Sequence, residues 1–117
     1  MALAAFVCGL VAGKAAAQTA DGARQLRYGE HLSQECTSCH RRDGADTGIP
    51  SLPGMTVEDF VATMGFYQTG ARDNAAMVSV AKSLNEAQIK ALAAYFATLP
   101  KPAKRAPAPP AATPALK

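Results

Sequence analysis

Cys36-Thr37-Ser38-Cys39-His40 is the stretch on which the reading of this chain turns. It is a C-x-x-C-H run, the attachment signature of c-type haem. The spacing has a physical reason. Two cysteines three apart on a helical turn project to the same side, so each thiol can add to one haem vinyl group. His40, the next residue, is thereby carried under the iron as an axial ligand. One short segment fixes a porphyrin twice and ligates its metal once.

Three other uses of the motif fit the chain less well. A thioredoxin-like redox pair needs C-x-x-C beside a βαβ pattern, and no segment alternates apolar and polar long enough to read as a strand. A zinc site needs four ligands, and the one extra candidate is His31, while Cys39 and His40 are too close in sequence to share a tetrahedral ion comfortably. A structural disulfide between Cys36 and Cys39 would close a ring so small that it constrains almost nothing in the unfolded chain.

Working outward, residues 24–35 place Tyr28 and Leu32 four apart, which predicts a helix running into Cys36. From Arg41 to Pro53, Gly44, Gly48, Pro50 and Pro53 predict a loop. A ligating histidine donates its second ring N–H to a carbonyl or carboxylate, and the Pro50 carbonyl, in an Ile49-Pro50 turn, is the candidate; a plain turn proline is the other reading. Thr56, with Asp59 three residues on, predicts a helix start, and Val57, Phe60, Val61 and Met64 form its apolar stripe up to a stop at Gly70. Asn85 and Gln88 predict a capping box for a last helix, with Leu84 stapled on Ile89 and a stripe of Ile89, Leu92, Ala93 and Phe96 ending at Pro100. The fold class is all-α: helices packed around one covalently bound haem.

The second axial ligand lies downstream. Met64 sits on an apolar stripe and reads as core. Met77 follows Ala71–Ala76, a stretch without an apolar stripe between two helices, and is the expected ligand on a loop crossing the haem face; Met55, in a turn before a helix cap, is the alternative. Thioether sulfur favours reduced iron, so a His/Met pair raises the potential relative to harder ligands. With both axial positions filled by protein, outer-sphere electron transfer is expected, not catalysis. Tyr67 and Tyr95 are candidates to border the haem, Arg41-Arg42 to meet a propionate or a partner or to be solvated, and His31 to lie on the surface.

The ends have other compositions. Met1–Gly13 is an apolar or small run, followed by Lys14 and Ala15-Ala16-Ala17, a cleavage pattern. Residues 1–17 are read as an export signal, though no Lys or Arg precedes the run. It falls short of the about 20 apolar residues of a membrane span, so no stable membrane insertion is expected after cleavage, and a periplasmic location is. Cys8 leaves with the signal. From Pro100 onward, twelve of eighteen residues are Pro or Ala, which makes 101–117 a flexible tail. Residues 18–100 form one domain, small enough to bury only roughly two-thirds of its surface and to need a cofactor or staple. The net charge of +3 is misleading, because five of the twelve basic residues lie in the two ends while all nine acidic ones lie in the domain. No basic patch for nucleic acid is visible.

Over residues 24–99 the sequence resembles class I c-type cytochromes. Within that class it is similar to the monohaem cytochrome subunit of flavocytochrome c sulfide dehydrogenase, through Phe60-Val61, Met64, Tyr67, Gly70, Met77, Ala81-Lys82 and Ala94-Tyr95-Phe96. The resemblance implies thioether links at Cys36 and Cys39, axial ligands His40 and Met77, and a partner flavoprotein that oxidises sulfide at its own FAD and passes electrons to this haem and on to a downstream acceptor. Relatives commonly have Gly after the haem histidine, where this chain has Arg41-Arg42, and the loop to Pro50 is short. Two other functions are carried alongside: a freely diffusing shuttle to a terminal oxidase or reaction centre, and a small haem enzyme or sensor in which Met77 is labile.

Overall fold

In the computed structural model, which describes residues 10–44 and 48–103, with side chains from residue 19 onward, four helices follow one another. These are α1 (Leu10–Cys36), α2 (Val57–Thr69), α3 (Ala75–Ser83) and α4 (Glu86–Thr98), and no strand occurs among the described residues. The first helix starts earlier than the Tyr28/Leu32 spacing indicated, at Leu10, so helical backbone runs through the segment read as the end of an export signal; residues 1–9 of that signal and 104–117 of the tail lie outside the described residues.

Helix α4 is the hub, packing against both α1 and α2, while α3 packs on α2. Its sequence explains this. Ile89, Leu92, Ala93 and Phe96 are all buried, and Ala91 and Tyr95 widen the stripe into two faces. The Asn85 side chain accepts from the Gln88 N–H and the Gln88 side chain accepts from the Asn85 N–H, both at 2.9 Å, completing the capping box. Phe96 stacks on Phe60 of α2 with ring centroids 5.7 Å apart, and Met64 is buried beside them, while Val57, read as part of the same stripe, is exposed at the first position of α2. On the other side, α1 comes so close that a Cβ on Gly29 would stand 2.8 Å from Tyr95 Cβ and collide with the Ala91 carbonyl. Tyr28, one residue earlier, is exposed, and its hydroxyl accepts from Gln88 Nε2 at 3.3 Å.

The third helix replaces the loop expected around Met77. Asn74 caps it by accepting from the Met77 N–H, and Met77, Ala81 and Leu84, at i, i+4 and i+7, all pack on the core. That stripe begins at Met77, so a reading centred on Ala71–Ala76 misses it. Gly70 ends α2 in the left-handed region (φ 78°), which glycine adopts without steric cost.

Candidate haem site

Helix α1 delivers the motif. Its last residue is Cys36, and the backbone winds on past the helix end: Thr37 N–H donates to Ser33 O at 3.0 Å, His40 N–H to Cys36 O at 2.9 Å, and Cys39 N–H to Cys36 O at 3.3 Å. The carbonyls a helix end leaves open are taken up by hydroxyls. Ser38 Oγ donates to Glu35 O at 2.7 Å and Thr37 Oγ1 to Gln34 O at 3.2 Å, while Ser33 Oγ, one turn back inside the helix, donates to Glu30 O at 2.7 Å. The two residues between the cysteines thus close the helix that carries them.

No disulfide joins Cys36 and Cys39. Cys36 is half-buried against the core cluster and Cys39 is exposed. Before any thioether forms, burial, reinforced by the neighbouring Glu35 carboxylate and opposed by a backbone hydrogen bond, pushes the Cys36 thiol up.

His40 is buried, at 8% exposure, and its Nδ1 lies 2.7 Å from the Pro50 carbonyl oxygen. A carbonyl can only accept, so Nδ1 carries the proton and a neutral ring is left with its lone pair on Nε2. That is the tautomer of a ligating histidine whose orientation is fixed by its second nitrogen. The loop between the two residues is tied at its base: Ser51 Oγ donates to Arg41 O at 2.9 Å.

The paired arginines are engaged within the chain. Arg41 grips Asp43 through Nε–Oδ1 at 3.1 Å and Nη2–Oδ2 at 2.6 Å. Arg42 lies over the Tyr95 ring, 5.9 Å from its centroid, with Nη2 3.4 Å from Ser33 Oγ. Tyr67 is half-buried and carries Arg72 over its ring at 5.1 Å. His31 is exposed.

Of the methionines, Met64 is 5% exposed within the core, whereas Met55 and Met77 are half-buried at its edge, as is Cys36. The structure therefore brings His40 and Pro50 into contact and sets Cys36, Met55 and Met77 around one core. Gln68 escaped notice in the sequence, since its partners Ala81 and Leu84 lie in and just after another helix; Asn74, three before Met77, is a cap residue type that could have signalled that helix.

The donor set suits a haem c. Two thiols on one turn, a neighbouring imidazole with Nε2 available, and a rim of half-covered apolar side chains (Leu52, Val61, Tyr67, Leu84, Leu99) around a small core match a large apolar ring ligated by nitrogen and sulfur. No cluster of three or more His, Cys, Asp or Glu suited to a bare metal ion occurs among the described residues, and no described helix is long and apolar enough to cross a membrane.

No protein-family model matches the chain. Among curated proteins it is 36% identical over 77 residues to the thiosulfate dehydrogenase electron acceptor of Thiomonas intermedia, a match covering 63% of this chain and 36% of that one. It is 34% identical over 65 residues to cytochrome c-552 of Acidithiobacillus ferridurans, covering 55% and 28%. The chain thus spans about a third of the length of these relatives. To the cytochrome subunit of sulfide dehydrogenase of Chlorobaculum tepidum it is 34% identical over 74 residues, covering 62% of this chain and 67% of that one. An all-helical chain that ends its first helix in C-x-x-C-H and matches two thirds of a cytochrome subunit belongs to the class I c-type cytochromes.

Proposed function

We propose that this chain is a periplasmic electron-transfer subunit that carries one haem c, accepts electrons from an FAD-containing, sulfide-oxidising dehydrogenase and passes them to a downstream acceptor. The single observation that carries the reading is the His40–Pro50 contact at 2.7 Å, at the end of the helix that bears both thiols. Cys36 and Cys39 would hold the group through thioether bonds, and His40 Nε2 and the Met77 sulfur would be the ligands to its iron. Residues 18–100 form the haem domain, preceded by the signal at 1–17 and followed by the tail. When bound, the haem supplies a reversible one-electron couple at iron. The protein's part would be to supply both His40 and Met77 to the iron, so that electrons cross and external ligands do not bind.

The sulfide-oxidising donor is supported by the relative from Chlorobaculum tepidum, whose name is that of a sulfide dehydrogenase subunit. A second reading, a thiosulfate-oxidising donor, is favoured by the relatives named thiosulfate dehydrogenase electron acceptor. Expression in a host that matures c-type cytochromes, followed by stopped-flow mixing with a sulfide-reduced flavoprotein or with a thiosulfate dehydrogenase and its substrate, decides between them. Fast reduction by the flavoprotein is expected. Reduction by the thiosulfate enzyme alone moves the assignment, and a colourless product with two alkylatable thiols removes the haem reading altogether.

A further inference from the structure

We infer that Ser51 is a positioning residue for His40, acting through the Pro50 carbonyl. The inference rests on the reading of His40 as an axial ligand. Two hydrogen bonds cross the base of the loop as adjacent rungs: His40 Nδ1 to Pro50 O at 2.7 Å, and Ser51 Oγ to Arg41 O at 2.9 Å. Each joins residues ten apart, and the second sits one residue further along both segments.

The arrangement has a consequence for the carbonyl. Pro50 C=O and Ser51 N belong to one planar peptide unit, and the proline ring already fixes φ at residue 50. What remains free is rotation about ψ of Pro50, which swings the carbonyl toward or away from the imidazole. Anchoring Ser51 to Arg41 restrains that rotation. Because the first rung has already closed the loop, the second meets little further closure entropy, so it acts on orientation more than on folding. The Arg41 end is itself held, by the two-point grip of Arg41 on Asp43. Ile49 and Pro50 themselves are exposed.

A bond from Nδ1–H to a well-aimed carbonyl puts electron density on the ring and favours the ferric state. Ser51 therefore contributes to the potential without touching the group.

The test is hydrogen exchange of the His40 Nδ1–H, followed by NMR on the haem-loaded full chain in the reduced state, with potentiometry on the same samples. Ser51→Ala should speed exchange about five-fold or more, the worth of a typical hydrogen bond, and raise the midpoint potential. Ser51→Thr, which keeps the hydroxyl, should restore both. Should Ser51→Ala yield too little folded protein, Ser51→Thr and Ser51→Val, alike in shape and differing in the hydroxyl, supply the second comparison, with faster exchange and the higher potential expected in Ser51→Val alone. Unchanged exchange and potential in Ser51→Ala, with the haem absorption bands intact, overturn the role of Ser51 alone; absence of those bands in the wild type would defeat the haem reading instead.

Discussion

Asn74 and Met77 are joined by a hydrogen bond of 3.1 Å from the Met77 N–H to Asn74 Oδ1. The bond caps α3 and fixes the backbone of the residue proposed as second axial ligand. The far end of α3 is held as well, since Gln68 Nε2 donates to Ala81 O at 2.9 Å and to Leu84 O at 3.1 Å. A helix of nine residues is too short to be stable alone, so Met77 stands where it does because its helix is pinned at both ends.

Removal of the cap should therefore affect stability and ligation together. Asn74→Ala is expected to cost ~1 kcal/mol, a drop of roughly 4–8 °C in Tm for a domain of this size, whereas Asn74→Ser should recover most of it. Differential scanning calorimetry of the haem-loaded protein checks this. Equal losses for Ala and Ser would show that the cap is not what holds α3.

Replacing Met77 with Ala should abolish the sulfur-to-ferric-iron charge-transfer band and lower the potential, because a hard or vacant sixth position favours ferric iron. Reduced Met77→Ala should bind carbon monoxide, and the wild type at neutral pH should not. Met55→Ala supplies the contrast, as Met55 borders the same core. Loss of the band in Met55→Ala, with Met77→Ala unaltered, would transfer the ligand role to Met55.

Much of this arrangement was legible in the sequence, and what was missed has a common cause. The caps at Thr56 and Asn85, the stop at Gly70 and the stripe of α4 are local signals, each decided within a few residues, and they stand where the sequence puts them. Helix α3 was missed because its stripe of Met77, Ala81 and Leu84 is brief and a ligand role for Met77 invited a loop. The arginine pair read as candidates for a propionate or a partner, or as solvated; in the structure Asp43 and Tyr95 engage them, and the second partner is more than fifty residues away. Contacts of that kind, like Gln68 with α3 or Gly29 with Ala91, arise from packing and leave no periodic trace.

The approach of α1 to α4 offers a steric test remote from the haem ligands. At Gly29 a methyl group would meet the Ala91 carbonyl and Tyr95 Cβ, both part of the hub helix, so neither can yield without moving the core. Gly29→Ala is expected to destabilise by about 1–3 kcal/mol, although alanine is the better helix former by up to about 1 kcal/mol. Gly22, on the same helix but with open space around it, should show the opposite sign when changed to Ala. Urea unfolding of the two variants checks the pair; stabilisation at both positions would mean that α1 does not pack on α4 at this distance.

The exposed pair at the start of α4 gives the expected pH behaviour. Glu86 is held below the usual carboxylate range, first by the hydrogen bond from Lys90 and then by the charge of that lysine, against a slight opposing effect of burial. The two stand at i and i+4 with the acid toward the N-terminus, the orientation that also suits the helix dipole. A carboxylate depressed on folding stabilises above its unfolded pKa of about 4.3, and that contribution disappears as pH falls through the lower folded value. Both side chains are solvent-exposed, so the effect is small and salt should shrink it. Thermal unfolding of Glu86→Gln beside the wild type should show the wild type slightly more stable near neutral pH, with the gap closing as the pH falls through the carboxylate range. A gap of constant size across that range would assign the stabilisation to the cap geometry of Asn85 and Gln88, which does not titrate.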